Sequence, residues 1–122
     1  TGMSEHTIRL AGPWQRLSES DSPQRVRLPL ERQTGEDLKL VRRFGRPGRL
    51  DPGERVWLMI AGLSGPTRIT LNQSPLELET RPEGLGSDIT DRLVSDNWLS
   101  IQWLGRESGG LTGPVWLECI SG

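Results

Sequence analysis

The sequence predicts an all-β fold, a single antiparallel β-sandwich of jelly-roll type with about eight strands. Three observations predict it. Short runs of alternating apolar and polar residues recur along the chain. The glycines (15) and prolines (9) fall between those runs as punctuation instead of gathering in one linker. No stretch sustains a helical period long enough for a stable amphipathic helix.

Residues 7–10 alternate and stop at Gly12-Pro13, and Val26-Arg27-Leu28 stops at Pro29. Residues 38–44 place Leu38, Leu40 and Phe44 on one side, with Arg42 on the same parity. Residues 55–61 (RVWLMIA) are apolar on both parities, the pattern of a central strand covered on both faces. Residues 67–71 turn Ile69 and Leu71 inward and Arg68 and Thr70 outward. Residues 74–87 form the longest irregular connection, although Leu76-Glu77-Leu78-Glu79 alternates well enough for a further strand. Residues 88–93 suit one helical turn, capped by Asp88 or Thr90, with Ile89 and Leu93 on one face. Residues 98–104 set Leu99, Ile101 and Trp103 against Trp98, Ser100 and Gln102, and residues 115–120 set Val115, Leu117 and Cys119 against Trp116, Glu118 and Ile120.

A chain of 122 residues is one domain's worth, expected over 3–122 with Thr1-Gly2 read as an expression scar before a native start at Met3. Net charge is −1, which excludes the basic footprint of a nucleic-acid binder. No apolar run approaches the ~20 residues of a membrane span. The polar residues after Met3 carry no secretory signal, so a cytoplasmic location is expected. One cysteine, Cys119, excludes an internal disulfide framework and a Cys-rich zinc site, and one histidine, His6, removes most His-based triads. Neither a metal nor a cofactor is expected.

The order of the segments carries a resemblance. Gly12-Pro13-Trp14 is followed by Val26-Arg27-Leu28-Pro29, Leu40-Val41-Arg42-Arg43-Phe44 and Leu50-Asp51-Pro52-Gly53-Glu54-Arg55-Val56-Trp57-Leu58. Then come Ile69-Thr70-Leu71-Asn72, Ser87-Asp88-Ile89-Thr90-Asp91-Arg92-Leu93 and Asn97-Trp98-Leu99-Ser100-Ile101. This order resembles the N-terminal sugar-binding jelly roll of family 2 glycoside hydrolases, a member of the galactose-binding-like β-sandwiches, over residues 8–120. The chain departs from that pattern in three places. Gln73-Ser74-Pro75 follows the turn Asn72 where the family usually has glycine. Leu40 or Val41 stands where an aromatic is common, and Gly84-Leu85-Gly86 replaces aromatics ahead of Asp88. The catalytic barrel of those enzymes and its paired glutamates have no counterpart, so the resemblance implies a sugar-binding fold without the hydrolytic chemistry.

Five tryptophans beside one phenylalanine and no tyrosine are the oddest feature of the composition. An indole offers a flat apolar face for a pyranose and one N–H donor. Trp57 and Trp103 sit in apolar runs and read as core. Trp14 reads as core under a loop or as part of a ligand site. Trp98 shares parity with Ser100 and Gln102, and Trp116 with Glu118, so each reads equally as solvent face or core. The candidate ligand-binding residues are therefore Trp98, Trp116 and Trp14, with Arg43 and Glu118 as polar partners. The loops expected to hold a ligand are 17–23, 46–52, 74–87 and 106–114.

Other motifs read as structural. Glu77 and Glu79 share a strand face at a spacing open to acid–base work but typical of a solvated face. Asp88 and Asp91 could ligate calcium and read better as turn caps. Arg42 has the parity of Leu40 and Phe44 and needs a carboxylate or carbonyl partner or a route to solvent; a ligand carboxylate is conceivable, and a structural salt bridge reads better. Gly84-x-Gly86 is too short for a dinucleotide fingerprint, the Asn72-Gln73-Ser74 sequon is idle, His6 lies in a loose terminus, and Cys119 is a buried thiol. The expected function is a non-catalytic carbohydrate-binding module. The alternative is a protein-interaction or structural sandwich, for a protein partner or as a homo-oligomer, that has lost its sugar site. No nucleophile–base pair supports an enzyme.

Overall fold

The computed structural model describes residues 5–10, 12–17, 23–28, 30–32, 39–48, 50, 52–104 and 109–121. Thr1 to Met3 and the greater part of the 17–23 loop lie outside the described residues. In chain order the strands are β1 (Glu5–Arg9), β2 (Trp14–Leu17), β3 (Gln24–Val26), β4 (Leu30–Arg32), β5 (Lys39–Gly45), β6 (Glu54–Ile60) and β7 (Leu63–Ser64). They continue as β8 (Thr67–Leu71), β9 (Ser74–Pro75), β10 (Glu79–Arg81), β11 (Gly84–Asp88), β12 (Asp96–Trp103), β13 (Gly109–Leu111) and β14 (Val115–Ser121). Among the described residues a single 3-10 turn, Thr90–Arg92, interrupts them. Among the described residues no helix is long and apolar enough to cross a membrane.

The strands pair antiparallel in three sheets: β1-β14-β6-β11-β10, β3-β2-β5-β12-β8-β9, and a small β4-β13-β7. The first two sheets carry the sandwich, and one core cluster lies between them. β6 contributes Val56, Leu58 and Ile60, and its neighbour β14 contributes Val115, Leu117 and Cys119. From the opposite sheet come Leu40 and Phe44 of β5, Ile69 and Leu71 of β8, and Leu99, Ile101 and Trp103 of β12. Burying these side chains removes apolar surface from water, and that sets the inward parity of every strand. The two deepest indoles satisfy their N–H groups: Trp14 Nε1 donates to Leu10 O at 3.1 Å and Trp103 Nε1 to Ser64 O at 2.8 Å.

The all-β sandwich is as the sequence predicts, but its strands are shorter and more numerous. Trp14–Leu17 is a strand although WQRL does not alternate; it is held by pairing on both sides, with β3 and β5. The 74–87 connection holds three short strands, while residues 76–78 are not in a strand. Trp57 is not a core residue. It points away from the sandwich interior and is half-buried, because the apolar run of β6 is covered on its outer side as well. His6 lies in β1, paired in register with Cys119, and not in a loose terminus. The predicted cap at 88–93 also differs. The turn begins after Ile89 without a side-chain cap, and Asp88 instead accepts Thr90 N at 3.0 Å across an Asx turn.

Candidate functional site

Each sheet has an outer face, and register decides what stands on it. On the six-stranded sheet, Trp98 of β12 lies opposite Arg43 of β5, and Ser100 lies opposite Val41 and Thr70. Trp98 is 47% exposed. The Arg43 guanidinium sits 5.3 Å from the centre of the indole, within range of a cation–π contact. Asp96 fixes that guanidinium: Arg43 Nε donates to Oδ1 at 2.7 Å and a terminal nitrogen donates to Oδ2. The pairing raises the Arg43 pKa and holds the Asp96 carboxyl below its ordinary range, so both stay charged. Beside them the Thr70 and Ser100 hydroxyls hydrogen-bond to each other.

Two asparagines position Trp98 from below. Asn72 Oδ1 accepts Trp98 N at 2.8 Å, and Asn72 N donates to Trp98 O at 2.9 Å. Asn72 Nδ2 donates to Asn97 Oδ1 at 3.1 Å. Asn97 is fully buried; it accepts Val94 N at 2.9 Å and donates to Val94 O at 2.8 Å. These are the turn asparagine and the strand-opening asparagine of the sequence resemblance, so the motif is a frame for Trp98 rather than a ligand set. Asn72 and Gln73 both take positive φ, 51° and 71°, in the two-residue hairpin between β8 and β9. Gln73 thus occupies a left-handed position suited to glycine.

The other motif segment is equally structural. Asp88 Oδ1 accepts the Thr90 hydroxyl at 2.7 Å, and that hydroxyl accepts Val56 N at 2.7 Å. Arg55 donates to Asp88 Oδ2 at 2.9 Å and to Asp91 Oδ2 at 3.2 Å. Burial acts to raise the Asp88 pKa, but the Arg55 and Thr90 hydrogen bonds prevail and lower it. Both carboxylates are engaged by Arg55, and among the described residues no group of three or more His, Cys, Asp or Glu could hold a metal.

On the outer face of the five-stranded sheet, Trp116 lies opposite Met59, and Glu118 opposite Trp57. Here the aromatics are half-buried. Trp116 Nε1 donates to Glu118 Oε1 at 3.2 Å, and the Arg81 guanidinium sits 4.3 Å from the centre of the Trp57 ring. Met59 is 2% exposed although it points outward. It has room because Gly86 lies opposite it: a Cβ there would stand 2.7 Å from Met59 Sδ and 3.1 Å from Arg81 Cγ.

The five candidate residues therefore fall in three places. Trp98 and Arg43 stand together on one face, and Trp116 and Glu118 stand together on the other. Trp14 is a correction: it is 0% exposed, with its N–H already bonded to Leu10 O, so no face of the ring is open to a ligand. Of the two readings open for it the core one holds, and pairing with β3 and β5 brings it there. Cys119 is a buried thiol whose pKa is pushed up by burial and by the nearby Glu54 carboxylate. Sequence reasoning missed Asp96, Asn72 and Asn97 as the supports of Trp98, and Arg81 as the cover of Trp57.

No model of a known protein family matches the chain, and no curated protein matches it. Solved structures do. An FMN-binding β-glucuronidase from F. prausnitzii L2-6 superposes with a TM-score of 0.76 at 18% identity, over 96% of this chain and 23% of that one. The chain has the fold of a domain from such enzymes. A Bifidobacterium dentium β-glucuronidase complexed with coumarin-3-O-glucuronide matches with a TM-score of 0.75 at 15% identity, over 96% of this chain and 30% of that one. A putative β-galactosidase from Bacteroides fragilis matches at 0.70 and 16%, with 96% and 23% coverage. The chain thus spans between about a quarter and a third of the length of the proteins it matches. At these identities the likeness is one of fold, in agreement with the resemblance read from the segment order.

Proposed function

We propose that the chain is a non-catalytic carbohydrate-binding module that stacks a pyranose ring on Trp98. One observation carries the reading: Trp98 is 47% exposed and ringed by polar groups that are already fixed in place. Arg43 and Asp96 hold each other, so they reach sugar hydroxyls without first losing rotamer freedom. The apolar C–H face of a sugar would cover the indole while its hydroxyls meet Arg43, Asp96 and Ser100. Trp116 and Glu118 are occupied with each other and have no role in this reading. The fold shared with β-glucuronidases and a putative β-galactosidase supports carbohydrate as the ligand class.

The rival reading is a protein-interaction sandwich. Such a module uses a contiguous apolar patch of several hundred Å². Among the described residues the large apolar side chains most open to solvent are Val94 and Trp98, which favours a small polar-rimmed ligand. The test is tryptophan fluorescence during titration with neutral mono- and oligosaccharides. A saturable change is expected that disappears in Trp98→Ala and persists in Trp57→Ala. No change across the panel at millimolar sugar, or a change that survives Trp98→Ala, overturns the assignment.

A further inference from the structure

A cleft of about 470 Å³ opens where β1 and β14 leave their sheet beside the end of β3. Leu10, Leu28 and Val115 floor it, and Arg9, Arg27 and Thr112 stand along its sides. The volume is in the range of a small-molecule site. Its wall is rigidly built. Thr112 N donates to Gly62 O at 2.9 Å, Ala61 N to Pro114 O at 3.0 Å, and Leu10 N to Val115 O at 2.9 Å. Gly62 has φ +69°, and a Cβ on it would stand 2.3 Å from Gly113 N, so the two loops close only because both positions are glycine.

The charge in the cleft is one-sided. Arg9 and Arg27 are both exposed along it, and among the described residues no carboxylate pairs with either. Three arginines elsewhere, Arg43, Arg55 and Arg81, each have an acidic partner within bonding distance. Two like charges sharing one cleft create a local positive potential that an anion relieves. A guanidinium fork matches an oxyanion with two parallel hydrogen bonds. We infer that the cleft binds a small organic oxyanion, its acid group between Arg9 and Arg27 and its body on the Leu10–Leu28–Val115 floor. This site is separate from Trp98 and does not depend on the role proposed for that residue.

The test is calorimetric titration of the full chain carrying Trp98→Ala, which removes the pyranose platform and leaves the cleft as it is, at low salt with glucuronate, glucose 6-phosphate, glucose and inorganic sulfate. One or both of the organic anions bind saturably; the tighter of the two tells carboxylate from phosphate recognition. Glucose does not bind at this site, and sulfate binds at least tenfold more weakly than the better organic anion. Arg9→Gln and Arg27→Gln each weaken binding about tenfold, the scale of one lost charge-assisted hydrogen bond. Arg9→Lys falls between the unchanged cleft and Arg9→Gln, and the double variant abolishes binding while circular dichroism stays native. Undiminished binding in the double variant, sulfate binding as tight as the organic anions, or no anion binding up to about 10 mM overturns the inference.

Discussion

Two arginine–tryptophan pairs stand on opposite outer faces of the sandwich, and they end in opposite states. Arg81 lies 4.3 Å from the Trp57 ring and closes over it; Arg43 lies 5.3 Å from the Trp98 ring and leaves it 47% exposed. The residue types are the same, so the difference comes from their neighbours. Trp57 is on the central strand of its sheet, beside an outward Met59 that sinks to 2% exposure over Gly86. Trp98 has serine and threonine hydroxyls beside it, and its arginine is held by Asp96. One pair thickens the fold into a second apolar layer; the other presents a ring to solvent. An exposed aromatic informs about function only when the structure has not already used it.

The largest effect is expected beneath the open pair. Asn97 is fully buried and serves Val94 N, Val94 O, Phe44 O and Asn72 Nδ2. Asn97→Ala removes the Val94 N and Val94 O partner and leaves Asn72 Nδ2 only its bond to Arg92 O, and should cost about 3 kcal/mol, measured by chemical denaturation. A loss under ~1 kcal/mol would mean that the Trp98 frame rests on something other than the two asparagines.

The closed pair comes next. Trp57→Ala removes the ring that Arg81 covers and opens the surroundings of Met59, so a loss of about 2 kcal/mol is expected, roughly half that of a fully buried tryptophan. Gln73→Gly has the opposite sign. Gln73 holds φ +71° beside Asn72 at +51°, a conformation in which a Cβ is strained. Glycine should stabilise the chain by about 0.5–1 kcal/mol, relieving strain at some cost in chain entropy. A lower midpoint for this variant would show that the Gln73 side chain has a stabilising contact.

These cases also show what the sequence discloses. The parity of 98–104 and 115–120 set Trp98 and Trp116 apart from the Leu99–Ile101–Trp103 and Val115–Leu117–Cys119 faces but left each open between solvent face and core, because alternation separates two faces without saying which is covered. The run 55–61 hid the direction of Trp57, since a strand covered on both faces has no alternation to read. Trp14 stood open between core and ligand site for a related reason: its burial comes from strand pairing on both sides, with β3 and β5. Asn72 and Asn97 were visible as motif residues, yet their mutual hydrogen bond joins positions 25 apart and belongs to register. Arg9 and Arg27 drew no notice, because each is an ordinary strand-end arginine until the sandwich edge brings them to one cleft.

Acid tests the hidden polar frame in the same way. The folded Asp88 carboxyl has a pKa below its ordinary value of 3.8. The stability it contributes is therefore present above that value and is lost as pH falls through the lower folded one. Asp88→Asn should lower the midpoint at neutral pH and narrow the gap from wild type as the solution is acidified below about pH 4. Equal pH slopes in the two proteins would show that the Arg55–Asp88 pair is not coupled to folding.

The smallest expected change in stability is at Trp98 itself. Its ring is half in solvent, its backbone is held by Asn72 whatever the side chain, and the Arg43–Asp96 pair survives without the indole. Trp98→Ala should therefore move the unfolding free energy by no more than about 0.5 kcal/mol, the usual range for a surface substitution. Set against Trp57→Ala, that is the sharpest form of the contrast between the pairs. Two indoles, each with a guanidinium over it, should differ severalfold in what their removal costs. A loss above ~1.5 kcal/mol for Trp98→Ala would place that ring among the structural ones. A near-zero cost would mean that so large an apolar ring stays on the surface without a folding role, as a ligand platform requires.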